Sequence, residues 1–126
     1  MKYFALLLLV FATFAEASDF TSRVKAGQLV LATTSGKSYE ASWGDAMEAS
    51  IKSCAQVGST SSANLGKFIF VANISSSGLV SDVEVRPITT VSQCFAKPFG
   101  GTRLPRPPGA SHGNYITVAD SIDIRP

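Results

Sequence analysis

The segment FIFVANISSSGLVSDVEV, Phe68 to Val85, constrains the fold more than any other part of the chain. Phe68, Phe70, Ala72 and Ile74 share one side of an extended backbone, and Ile69, Val71 and Asn73 share the other. A strand that is apolar on both sides has to be central or covered. Ser75 to Gly78 follows, four polar residues with glycine last, which suits a hairpin loop. In the second run Leu79, Val83 and Val85 fall on one face, against Val80, Asp82, Glu84 and Arg86 on the other. One face of this sheet is therefore expected to meet solvent. Pro87 has no N–H to donate and ends the ladder.

The remaining elements are read from spacing. Residues 19–34 put Phe20, Val24 and Leu31 at loosely helical intervals after a possible Asp19 cap and are read as a helix, although Gly27 to Thr34 alone would also suit a strand. Further on, Trp43, Met47, Ile51 and Cys54 follow at intervals of four, four and three, which makes one apolar helical stripe that Ser42 can cap. Asp45 lies near the positive end of that helix, and Glu48 to Lys52 is an i,i+4 pair. The helix is expected to end near Val57, before a Gly/Ser/Asn-rich loop to Gly66. A second, shorter helix follows Thr89 or Thr90 as cap, with Val91, Cys94 and Phe95 on one face and Pro98 near its end. Gly100 to Gly113 is a Pro/Gly-rich surface loop, and Tyr115 to Ile124 is a closing strand with Ile116, Val118, Ile122 and Ile124 on one face. Asp120 interrupts that face, either as a partly buried acid or as the mark of a bulge, and the bulge is the preferred reading.

The compartment comes from the N-terminus. Lys2, the apolar run Phe4 to Phe14 and the small-residue site Ala15-Glu16-Ala17 read in order as a secretory signal cleaved before Ser18. Residues 1–17 are accordingly the signal and 18–126 one domain, expected to be a periplasmic or secreted monomer without a membrane span. Export puts both cysteines, Cys54 and Cys94, where disulfides persist, and each lies on the apolar stripe of its own helix. A single bridge between them is expected. The formal net charge of +2 is too small to imply nucleic-acid binding.

These readings describe an α+β fold: a small antiparallel sheet, made of a hairpin and a closing strand, with helices packed on one face. The order of AMEASIKSC, FIFVANISSSGLVSDVEV, VSQCF, LPRPPG and YITVADSIDI resembles the TonB C-terminal-like family, including related domains of small exported proteins. The resemblance spans roughly Ala46 to Ile124, with the family-like core taken as about residues 42–124. It implies a non-catalytic module that binds a peptide by adding it to a sheet edge, here Tyr115, Thr117 and Ala119.

Catalytic chemistries lack their parts. The chain has one histidine, His112, in a Pro/Gly loop and no GxSxG elbow, so a Ser-His-acid hydrolase is not supported. Asp82 and Glu84 sit about 7 Å apart on one strand face, but they share that row with Arg86 and read as a wetted surface. One histidine and two bridged cysteines cannot close a metal site, and no phosphate-binding glycine motif is present. No cofactor is implied. The expected function is a non-catalytic accessory module of the cell envelope that binds an unidentified protein or peptide. The alternative is an inhibitor or immunity-type protein acting through Gly100 to Gly113, with Arg103 and Arg106 as contacts.

Overall fold

A computed structural model describes residues 19–58, 66–110 and 114–124, so the expected signal segment and His112 lie outside the described residues. Helix α1 covers residues 19–32, followed by α2 (Thr34–Ala41) and α3 (Gly44–Gly58). Then come β1 (Gly66–Ser75), β2 (Val80–Arg86), α4 (Thr90–Phe99) and β3 (Tyr115–Ile124). The three strands form one antiparallel sheet in the order β2-β1-β3. β1 is central, which accounts for its apolar residues on both sides: Phe70 and Val71 are each fully buried.

The core face carries Phe68, Phe70, Ala72 and Ile74 from β1, and it is closed by α2, α3 and α4. Aromatic rings fill the space between them. Phe95 stacks on Phe99 at 4.9 Å between centroids, and Phe70 meets Phe95 at 5.5 Å and Phe99 edge-on at 5.4 Å. Trp43 lies 6.4 Å from Phe70 and takes Tyr39 edge-on at 5.5 Å. Such pairs add about 0.5–1.5 kcal/mol each beyond the area they bury. Cys54 and Cys94 are joined with their α carbons 5.7 Å apart, inside the range a disulfide requires, so the bridge clamps α3 to α4. Thr89 caps α4 in a capping box: its hydroxyl accepts the Ser92 N–H while the Ser92 hydroxyl accepts the Thr89 N–H. Glu48 and Lys52 pair at 2.9 Å on the exposed side of α3.

The structure corrects four expectations. Ser42 ends α2, donating its N–H back to Tyr39, and does not begin α3. The bulge is in β2, where Ser81 to Glu84 opposes Asn73 to Val71 with one extra residue and Asp82 takes a φ of 50°. That extra residue reverses the alternation upstream, turning Val80 into the core and leaving Leu79 exposed. β3 runs without interruption from Tyr115 to Ile124, and Asp120 pairs in register with Phe70 as a half-buried acid on the core face.

The fourth correction concerns the outer face. Only α2, α3 and α4 keep to the core side; α1 starts on the opposite face and crosses β3. Its stripe is Phe20, Arg23, Gly27 and Leu31, at intervals of three, four and four. The Phe20 ring packs beneath the Arg86 guanidinium at 4.8 Å. Arg23 reaches β1 and β2, Gly27 lies against the Val118–Ala119 backbone, and Leu31 enters the core. A side chain at Gly27 would place its β carbon 2.5 Å from Ala119 N, so this crossing needs glycine.

Candidate binding site

The polar end of the sheet is assembled from three separate stretches. Residues 76–78 form the β1–β2 turn, in which Gly78 has a φ of 92° and its N–H bonds back to Ser75 O at 2.9 Å. The chain after α4 then folds over this turn as a strap, residues 100–110. Gly101 donates to Val80 O at 2.9 Å, Val80 to Thr102 O at 3.0 Å, and Leu104 to Gly78 O at 2.9 Å. An isolated bridge pairs Leu79 with Arg103. Leu104 and Pro107 are buried, and the Tyr39 hydroxyl of α2 donates to Pro105 O at 2.8 Å. Burial raises the Tyr39 phenol above its ordinary range. The start of β3 completes the group, since Tyr115 pairs with Ser75 and Ser76 donates to Asn114 O at 3.0 Å.

Arg103 and Arg106 are exposed on this strap. The Arg103 guanidinium lies 3.5 Å from the Ser77 hydroxyl, and Arg106 lines a cleft of about 330 Å3 with Ser76, Pro107 and Ala110. Neither arginine has an ion-pair partner among the described residues. Tyr115, at the start of β3, is 62% exposed and lines the outer-face cleft of Arg23 and Asp82. The strap therefore presents two guanidinium groups without ion-pair partners among the described residues on a backbone fixed by hydrogen bonds, which suits planar, charge-assisted contacts to carboxylates.

The proposed sheet edge fares differently residue by residue. β3 is an edge strand, but α1 occupies it at Val118–Ala119, and Ala119 is only 2% exposed. Thr117 is half-buried, with its hydroxyl donating to Asn73 Oδ1 at 3.1 Å. Of the three, Tyr115 alone faces outward. Strand addition along Tyr115 to Ala119 would require α1 to lift away.

A second polar cluster lies on the outer face, in a cleft of about 560 Å3 lined by residues including Asp19, Asp82, Glu84 and Tyr115. Arg23 is its centre. The guanidinium donates to Glu84 Oε1, to Asn73 Oδ1 at 3.1 Å and to Asp82 O at 2.9 Å. Asn73 Nδ2 donates to Asp82 Oδ2 at 3.2 Å, and Arg86 lies 3.6 Å from Glu84 Oε2. Asp82 and Glu84 are thus acceptors in a network that fastens α1 to the sheet, and the row is no plain wetted surface. Arg23 has no signature in the sequence because its partners lie 50 to 61 residues away. The available signal was Gly27, since a glycine inside a helical stretch commonly has a packing reason. Among the described residues, no three of His, Cys, Asp and Glu converge as metal ligands, and no helix is long and apolar enough to cross a membrane.

Comparison with protein-family models, with curated proteins and with solved structures finds no match to this chain. The TonB C-terminal-like resemblance rests on the sequence motifs alone.

Proposed function

We propose that this chain is an exported, non-catalytic binding module of the cell envelope that holds an acidic segment of a partner protein at the turn–strap end of the sheet. The observation that carries the reading is the pairing of a fixed backbone with free cations. The strap is tied to the hairpin at Gly101, Thr102 and Leu104, while Arg103 and Arg106 remain exposed and without acidic partners among the described residues. A strap ordered before binding loses little conformational entropy when a partner arrives. The same property supports an inhibitor or immunity-type role, in which this strap occupies a partner's acidic cleft. Both roles use the same residues and share the first test.

That test is affinity capture from envelope extract at about 0.15 M salt, with the exported protein and its Arg103→Glu/Arg106→Glu variant. A partner retained by the wild type and lost by the variant supports the reading. An identical retained set for both proteins removes the strap from the site. With an identified partner, each Arg→Ala change is expected to weaken affinity by about tenfold or more, as an anchoring arginine does.

A further inference from the structure

The β1–β2 turn and the strap form a cleft of about 330 Å3, lined by Ser76, Arg106, Pro107 and Ala110. The backbone is fixed on both sides of it. Ser76 donates its N–H to Asn114 O at 3.0 Å, which ties the turn to the chain entering β3. On the strap, Leu104 donates to Gly78 O at 2.9 Å and Pro105 O accepts the Tyr39 hydroxyl at 2.8 Å, so the two residues before Arg106 are held by the turn and by α2. Pro107, directly after Arg106, is buried.

The three turn hydroxyls are not equally engaged. Those of Ser75 and Ser77 lie 2.9 Å apart, Ser75 also accepts the Leu79 N–H at 3.1 Å, and Ser77 lies 3.5 Å from the Arg103 guanidinium. The Ser76 hydroxyl has no hydrogen bond to a described residue, and Arg106 has no ion pair among them. The cleft therefore joins a free hydroxyl and a free guanidinium to two apolar residues, Pro107 and half-buried Ala110.

We propose that this cleft receives a chain end: the free C-terminal carboxylate of the partner's acidic segment, with Arg106 and Ser76 donating to its oxygens and Pro107 and Ala110 walling the last side chain. The inference rests on the strap being the binding surface and names what that surface reads. A guanidinium offers two parallel N–H groups to one carboxylate, and a hydroxyl adds a third donor. Size favours an end over an internal run. Clefts that hold small ligands measure roughly 300–1,000 Å3, so this one stands at the lower limit, with room for a residue or two. Chemistry favours it as well. In a terminal residue the carboxylate and the side chain branch from the same α carbon, so a donor pair beside an apolar wall meets both at once. An internal Asp or Glu carries its carboxylate at the tip of a methylene stem, and its chain has to leave the cleft in two directions. Arg103, beside Ser77 on the same turn, takes an acidic side chain upstream of the end. The last side chain is small and apolar, to match Pro107 and Ala110.

The experiment uses the whole exported chain and two pools of short peptides labelled at the N-terminus. Both pools have the same sequences, acidic in the middle and ending in Ala, Val or Leu; one has a free C-terminus and the other a C-terminal amide. Fluorescence anisotropy at about 0.15 M salt reads the affinities. The free-end pool is expected to bind roughly tenfold or more tightly than the amidated pool. Arg106→Gln and Ser76→Ala should each shrink that preference by about threefold or more, and Arg106→Lys, which keeps the charge and loses the fork, should retain part of it. A merely structural role for either residue would weaken both pools alike and leave the preference intact. Equal binding of the two pools, binding of neither, or a preference that survives in both Arg106→Gln and Ser76→Ala overturns the proposal. If capture from envelope extract depends on Arg103 and Arg106 while the two pools bind alike, the strap stays the binding surface and chain-end recognition falls. If capture ignores both arginines while the pools still differ through Arg106 and Ser76, the binding reading falls and the cleft's preference for chain ends stands.

Discussion

Replacing Gly27 with alanine sets two effects of opposite sign against each other, and the structure decides between them. In an exposed helix interior, Gly→Ala stabilises by about 1 kcal/mol because the backbone loses less freedom on folding. At Gly27 the added β carbon would stand 2.5 Å from both Ala119 N and Val118 C, and 2.8 Å from Ala119 Cβ. The first two obstacles are backbone atoms of a ten-residue strand paired along its whole length, so no rotamer change relieves them. Overpacking of this kind costs about 1–3 kcal/mol, and a backbone obstacle belongs at the upper end. Gly27→Ala is therefore expected to destabilise by about 2 kcal/mol net, lowering the urea midpoint by about 1–2 M for a slope of about 1–2 kcal/mol/M. Gly44 provides the control. It is the first residue of α3, and a β carbon added there would meet no atom within 4 Å, so Gly44→Ala should leave stability unchanged or raise it by up to about 1 kcal/mol. Urea unfolding of both variants, followed by Trp43 fluorescence, makes the comparison. A higher midpoint for Gly27→Ala, or equal shifts for the two, would refute the crossing of α1 over β3.

Two further perturbations test the frame of the site. Replacing both Cys54 and Cys94 with alanine opens a loop of sequence separation 40, for which the chain-entropy model gives a loss of about 4 kcal/mol. Urea unfolding measures it, and a loss under about 1 kcal/mol would mean the bridge is not formed in the purified protein. Arg23→Met keeps the apolar stem but removes the guanidinium, and should cost about 1–3 kcal/mol because Glu84 and Asn73 lose a buried donor. Crossed with Glu84→Gln in a double-mutant cycle, it should show a coupling of about 0.5 kcal/mol or more, and strict additivity would dissolve the network.

Local periodicity carried much of the architecture. The stripe of Trp43, Met47, Ile51 and Cys54 turned inward as a helix, Val91 and Phe95 did the same behind a Thr89 cap, and Phe68 to Ile74 became a central strand. The cysteines met because each sat on the apolar side of its own helix. These features follow from side-chain repeats of 3.6 and 2, which belong to the sequence itself.

The site was less legible. Arg103, Arg106 and Tyr115 were visible as residues, but assigned to two competing surfaces; pairing of Ser75 with Tyr115 and of Leu79 with Arg103 joins them at one end. The β2 bulge, the crossing of α1 and the Arg23 network had no local signature. Each depends on pairing or packing between separate elements, and whether an acid such as Asp120 kinks its strand or stays in register depends on what packs beside it. The sequence by itself determined that α3, α4, β1, β2 and β3 are helix or strand and which sides α3, α4 and β1 bury, because those are short-range properties of the backbone. Only the tertiary structure decided which polar groups are satisfied internally and which are left for a partner, because hydrogen bonds and ion pairs form across the distances that folding closes.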